Sequence, residues 1–230
     1  MSIKKFIVAA CTTCLLSCSN DRNVSNSLKP APQQLTTVSE KDAKELGEYV
    51  LLMMRIVGSD MSTTRMNVVA RSIVNVATDI FATQDERKQF VVMIAIESKF
   101  STDAKSAAGA IGLTQIMPQY AREFGESCGI KDIRDQDFAH PDINLILGAC
   151  RFKALLDTFN GQPVPALVAY NAGLASNQLR QLQSLREITN TETASYVVKW
   201  VYVKDQADKQ TLKRKEKVKI RIKTGDGESE

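Results

Sequence analysis

One carboxylate breaks the most apolar run of the presumptive folded region, Phe90 to Ser98, and Glu97 is the only ionisable residue in it. A capping-box pattern, Thr83-Gln-Asp-Glu86, starts a helix that carries the run and ends near Glu97. On that helix Glu97 shares a face with Phe90, Met93 and Ile94. An apolar face makes a carboxylate costly to ionise, so a raised pKa is expected, which suits a general acid near neutral pH. The loop that follows carries Gly109 and Gly112 among small residues, then Gln115, whose amide both donates and accepts. Another helix starts at Pro118.

The flanking segments predict a mainly α chain. Ser39 with Asp42 starts a helix with Leu46, Val50, Met53 and Val57 on one face, ended by Gly58. Ser62 opens the next, with Met66, Val69, Ile73, Val76 and Ile80 as its core stripe. The helix at Pro118 is expected to stop at Gly125, and a polar connection runs from Asp135 to Pro141. A long helix from Pro141 to about Phe159 closes at Asn160-Gly161. Shorter helices are expected over 166–171, 178–188 and 191–203, the last capped by Thr189 with Glu192.

Three ordered motifs carry a resemblance. They are Glu97-Ser98 with Ser106-Ala-Ala-Gly-Ala-Ile-Gly-Leu-Thr-Gln115 and Ile-Met-Pro118, then Ala169-Tyr-Asn-Ala-Gly173, then Glu192-Thr-Ala-Ser-Tyr196. Together they resemble the soluble-lytic-transglycosylase family over roughly Ile73 to Val203, a specific match because three motifs occur in order. A Pro141-x-x-Asn144-x-x-x-Gly148 run is similar to one in the family, with an expected role in packing and capping. The chain has Ser101-Thr-Asp103 where many members have Asn-Pro, a change in the local turn.

The resemblance implies a lysozyme-like domain of about eight helices that cuts peptidoglycan glycan strands. It implies one catalytic carboxyl, Glu97, and a 1,6-anhydro-muramyl product. Asp103 is the nearest acid in sequence, and the family motif gives it no such role. Ser98, Gln115, Met117, Tyr170, Asn171, Glu192 and Tyr196 match family residues at the cleft. Each has a plainer reading as well. A half-buried tyrosine can bond to backbone, and Glu192 can cap its own helix. Two other functions remain open on the same scaffold: a lysozyme-type muramidase, and a non-catalytic peptidoglycan-binding lipoprotein. Members act in wall turnover, in secretion and conjugation machines and in phage particles, so envelope-machine proteins are candidate partners.

Composition narrows the chemistry. A single histidine, His140, makes a Ser-His-Asp site or a multi-histidine zinc site unexpected, and neither a metal nor a cofactor is called for. A net charge of +4 gives no case for nucleic acid. Residues 1–17 read as a signal peptide, with Lys4 and Lys5 before the apolar run Phe6 to Leu16. Leu15-Leu-Ser-Cys18 resembles a bacterial lipobox, which implies lipidation at Cys18. Ser19 then points to the periplasmic face of the outer membrane. An ordinary cleaved signal and an uncleaved anchor are the alternatives. Residues 18–38 read as a tether, 39–203 as the catalytic domain and 204–230 as a charged tail. In an oxidising compartment Cys128 and Cys150 are expected to pair, the alternative being two buried thiols. Lys204 to Lys223 holds nine basic residues, and Val218, Ile220 and Ile222 alternate with bases in a short strand pattern. A solvated tail and a basic strip for anionic wall or lipid are the two readings of that segment.

Overall fold

The computed structural model describes residues 38–130, 134–184 and 188–224. The expected signal peptide, Cys18 and all but the last residue of the expected tether lie outside the described residues. The chain is mainly α. Its helices are α1 (Glu40–Ile56), α2 (Thr63–Ile80), α3 (Gln84–Ser98), α4 (Pro118–Ser127), α5 (Pro141–Thr158), α6 (Pro163–Ala172), α7 (Asn177–Gln183) and α8 (Thr191–Thr224), with a 3₁₀ turn at Asp135–Ala139. The described residues fall into two compact units. One takes in Leu155–Val197, and the other Val38–Ala154 with Val198–Glu230.

In the larger unit α1, α2 and α3 pack on one another. The Ser39 hydroxyl accepts from the Asp42 N–H at 3.1 Å and starts α1. Ser62 does the same for α2. Thr83 and Glu86 exchange hydrogen bonds across the first turn of α3. Each such cap satisfies donors that a helix start leaves unpaired, at roughly 1 kcal/mol. α1 buries Leu46, Tyr49, Val50, Met53 and Met54, and α2 buries Val69, Ile73, Val76 and Ala77. α3 differs, because its residues from Gln89 to Ala95 are all buried. A helix buried on every side belongs to the centre of a core. Phe90 on α3 stacks near Phe81, their ring centroids 5.1 Å apart, and Phe81 meets Phe152 of α5 edge-on at 6.3 Å. Just before this stretch the buried Arg87 donates from Nε to the Phe81 carbonyl and from Nη2 to the Ala82 carbonyl.

The segment from Lys204 departs from expectation. Over 204–224 it is neither strand nor loose tail: α8 continues to Thr224, and residues 225–230 lie outside the described residues. Alternation over five residues is a short signal. It is outweighed by the good helix propensity of Lys and Arg and by two i,i+4 ion pairs, Lys204–Asp208 and Asp205–Lys209. The helix also packs. Ala207 is fully buried, the Trp200 indole N–H donates to the Gln89 carbonyl, and the Tyr49 hydroxyl donates to Asp208. Lys215 reaches back to Glu45 at 2.9 Å and holds that carboxyl below its usual range. Burial and then the Asp208 charge push the Tyr49 phenol well above its ordinary value, so it remains a donor.

Three smaller differences follow local chemistry. α4 passes Gly125 and ends at Ser127, with the left-handed turn at Gly129 (φ 75°). α8 is capped by Asn190, whose Oδ1 accepts from the Thr193 N–H at 3.0 Å, while Thr189 bonds to Gln181. α7 ends at Gln183, short of the expected Ile188, and residues 185–187 lie outside the described residues. α5 closes as expected, with the Gly161 N–H on the Leu156 carbonyl at 2.7 Å.

A chain ending at Val203 keeps Trp200 but loses the buried Ala207, the Tyr49 bond to Asp208 and the Glu45 pair with Lys215. Its urea midpoint should fall, with a loss of ~2 kcal/mol or more. An unchanged midpoint would restore the tail reading.

Candidate active site

Glu97 stands half-buried in the last turn of α3, immediately before the loop that carries the first motif. Its neighbour Ser98 is buried, and its hydroxyl donates to the Leu113 carbonyl at 2.8 Å. The end of α3 is thereby tied to the middle of the loop. The next two residues, Lys99 (φ 51°) and Phe100 (φ 67°), both adopt the left-handed region. Side chains other than glycine pay about 1 kcal/mol or more each for that conformation. Phe100 is fully buried, so its packing holds the turn. Beyond it Arg65 of α2 bonds through Nη2 to the Thr102 hydroxyl and to the Asp103 carboxylate, which is exposed.

The loop folds on itself before it meets α5. The Gly112 N–H donates to the Ala104 carbonyl, and Ile111 and Ile116 exchange backbone bonds at 3.0 and 3.1 Å. Gln115 takes a positive φ of 51°, and its Nε2 donates to the carbonyls of Gly112 (2.9 Å) and Ala104 (3.3 Å). Both donors of that amide are thus engaged within the loop, and Oε1 is the end that a ligand would meet. Met117 is half-buried and forms the N-cap of α4.

Asn144 of α5 locks this arrangement. It is fully buried, its Oδ1 accepts from the Thr114 N–H at 2.9 Å, and its Nδ2 donates to the Ile111 and Phe138 carbonyls. The Thr114 hydroxyl lies 2.9 Å from both the Asn144 carbonyl and Oδ1. Two glycines make room. A Cβ at Gly112 would stand 2.6 Å from the Asn144 amide, and one at Gly148 would stand 2.3 Å from Thr114. The Pro-x-x-Asn-x-x-x-Gly run is therefore a loop clamp, a more specific job than packing and capping. Its signal in the sequence is an amide residue between Ile143 and Leu145, inside an apolar helix.

The other motif residues lie in the smaller unit. Tyr170 is half-buried and Asn171 exposed near the end of α6, which stops at Gly173 (φ 91°). The Thr193 hydroxyl donates to Asn171 Oδ1 at 3.0 Å, joining the end of α6 to the first turn of α8. Thr193 belongs to the third motif, yet sequence reasoning gave it no role. Glu192 is exposed in that turn, and with Asn190 as the cap it forms no capping box with Thr189. Tyr196 is buried one turn later. The structure thus groups Glu97, Ser98, Gln115 and Met117 along one clamped loop, and Asn171 with the start of α8 in the other unit.

Residues 80–193 match the family described as the Transglycosylase SLT domain. The matched stretch is similar to that domain. It begins at the end of α2 and closes in the first turn of α8, so Glu97, the loop and Tyr170-Asn171 fall inside it and Tyr196 just outside. Two solved structures resemble the chain. An inactive glutamate-to-glutamine mutant of the lytic transglycosylase Slt from Pseudomonas aeruginosa is 29% identical over 60% of this chain and 24% of its own, with a TM-score of 0.51. The 70 kDa soluble lytic transglycosylase from Escherichia coli is 18% identical over 75% of this chain and 31% of its own, with a TM-score of 0.52, and shows the fold alone. The chain spans 24% and 31% of the length of these two proteins.

Asn144→Ala would strand the Thr114 N–H and the Ile111 carbonyl in the interior. We expect a loss of ~3 kcal/mol in urea unfolding. A loss below ~1 kcal/mol would mean that the clamp is dispensable.

Proposed function

We propose that the chain is a peptidoglycan lytic transglycosylase with Glu97 as its catalytic acid and base. The observation that carries this reading is the placement of Glu97. It is a half-buried carboxyl at the end of a core helix, beside a loop pinned by Ser98 and Asn144, inside the stretch that matches the SLT domain. In the Pseudomonas aeruginosa lytic transglycosylase, a glutamate-to-glutamine change makes an inactive mutant, which agrees with chemistry that turns on one carboxyl.

Cleavage begins with the Glu97 proton passing to the oxygen that links the two sugars. As that bond breaks, the acetamido oxygen of the same sugar closes on the anomeric carbon and takes up the positive charge. The sugar's 6-hydroxyl then attacks that carbon, the acetamido oxygen's bond to it breaks, and the hydroxyl's proton passes back to Glu97. The products are a free strand end and a 1,6-anhydro-muramyl end, with no water consumed. Asp103 is already bonded to Arg65, which favours a site with one working carboxyl over the usual pair. Ser98 serves as a positioning residue through the Leu113 carbonyl. Gln115 offers Oε1 to a sugar hydroxyl or amide, and Met117 offers apolar surface. Tyr170, Asn171, Glu192 and Tyr196, in the other unit, are assigned to sugar binding by their match to family residues.

Mass spectrometry of the sugars released from purified peptidoglycan tests the reaction. The full chain should give 1,6-anhydro ends, and Glu97→Gln should lower the rate by ~10²-fold or more while folding normally. Reducing ends would identify a muramidase instead, and release undiminished in Glu97→Gln would remove the assignment of the acid.

The setting is part of the proposal. The chain is exported, is lipidated at Cys18 and works from the periplasmic face of the outer membrane. The Cα atoms of Cys128 and Cys150 are 6.0 Å apart, a spacing that suits a disulfide between α4 and α5. One non-reducing mass spectrum of protein purified from membranes reads both features. We expect acyl mass on a Cys18 N-terminal peptide, lost in Cys18→Ala, and a linked Cys128–Cys150 peptide pair. An unacylated N-terminus or free thiols would remove the corresponding claim.

A further inference from the structure

The first turns of α4 carry an aromatic pair at the surface. Tyr120 is 49% exposed and Phe124 half-buried, with ring centroids 6.1 Å apart and planes inclined by 31°. The i,i+4 spacing sets one ring against the other. Arg151 of α5 lies over the Phe124 ring, 4.8 Å from its centroid. Its neighbour on α5, Cys150, meets Cys128 at the far end of α4. α4 is therefore held at its middle and at its C-terminal end by consecutive residues of one helix. Its N-terminal end follows Gln115 and Met117, on the loop that Asn144 of that same helix clamps, and the Tyr120 N–H bonds to the Met117 carbonyl at 3.0 Å. The outward ring thus stands on a fixed support about one helical turn from the loop beside Glu97.

A tyrosine ring held in one orientation presents a flat apolar face with a polar edge. On the same helix face Glu123 is exposed and polar, while the apolar neighbours Met117 and Phe124 are half-buried, so the well-exposed apolar surface is about one ring in extent. That is too small for the buried anchor cluster of a protein interface. It matches the C–H face of a pyranose, whose hydroxyl and acetamido groups would lie toward the polar rim. We propose that Tyr120 is a stacking platform for an N-acetylated sugar of the glycan strand, an outer subsite beyond the sugars at Glu97. The proposal rests on the peptidoglycan reading above. Phe124 and Arg151 act as positioning residues that keep the Tyr120 ring in place.

Binding measured without turnover tests it. The probe is peptide-free glycan strands prepared from peptidoglycan by amidase treatment, titrated against the full chain carrying Glu97→Gln. Adding Tyr120→Ala should weaken binding roughly fivefold to tenfold, and adding Tyr120→Phe should change it less than about twofold, because the face is kept. Since about half of the ring is exposed, Tyr120→Ala should lower the melting temperature by at most a few degrees and Tyr120→Phe should leave it in place. Equal binding with Tyr120→Ala would overturn the platform while leaving the peptidoglycan reading intact, as would a Tyr120→Phe protein as weak as the Ala one. Failure of the Glu97→Gln protein itself to bind the strands would overturn both.

Discussion

A single buried carboxamide fixes the shape of the candidate site. Asn144 bonds to Thr114, Ile111 and Phe138 at once, and all three lie outside its own helix. A loop between helices has backbone groups with no ladder to join, and burying them unpaired would cost about 1–3 kcal/mol each. Asn144 supplies the missing partners from α5. It can do so only because Gly112 lacks the Cβ that would collide with it and Gly148 lacks the one that would collide with Thr114. Two short pairs, Gly112 with Thr114 and Asn144 with Gly148, thus form one joint across 30 positions of chain, and replacing any of the four disturbs the others.

That joint works against an anchored partner. α3 is buried on all sides, so its last turn has little freedom, and Ser98 carries that rigidity to the loop through the Leu113 carbonyl. The left-handed pair Lys99 and Phe100 is the sharp corner this requires. A chain free to relax would avoid such a corner, and here the buried Phe100 ring holds it. The strain sits directly after Glu97, where the backbone must leave the core helix and double back across its end.

Much of this was legible before any coordinates. Helix starts at Ser39, Ser62 and Thr83 follow from short local patterns, and local patterns survive in the folded chain because the bonds they make are local. The position of Glu97 at the end of an apolar helix was readable for the same reason. The Asn144–Thr114 joint was not, because 30 residues separate its halves and no local pattern links them. The stretch after Lys204 misled because five alternating residues resemble a strand, whereas the deciding contacts, Tyr49 with Asp208 and Glu45 with Lys215, span 159 and 170 positions. Asn190 in place of Thr189 as the cap of α8 is a shift of one residue, the usual uncertainty of a helix end.

The division of labour between apolar and polar contacts explains the pattern. Apolar burial in α1, α2 and α3 supplies most of the stability but has no direction, so alone it would leave a loop free to slide by an ångström or more. A proton donor must reach its acceptor within hydrogen-bond distance, a tolerance of about half an ångström. The directional contacts gather beside Glu97, where that tolerance applies if it is the proton donor proposed above. Ser98, Thr114, Gln115 and Asn144 all bond along the Glu97 loop, and their fixed lengths and angles convert the stability of the core into the position of one carboxyl.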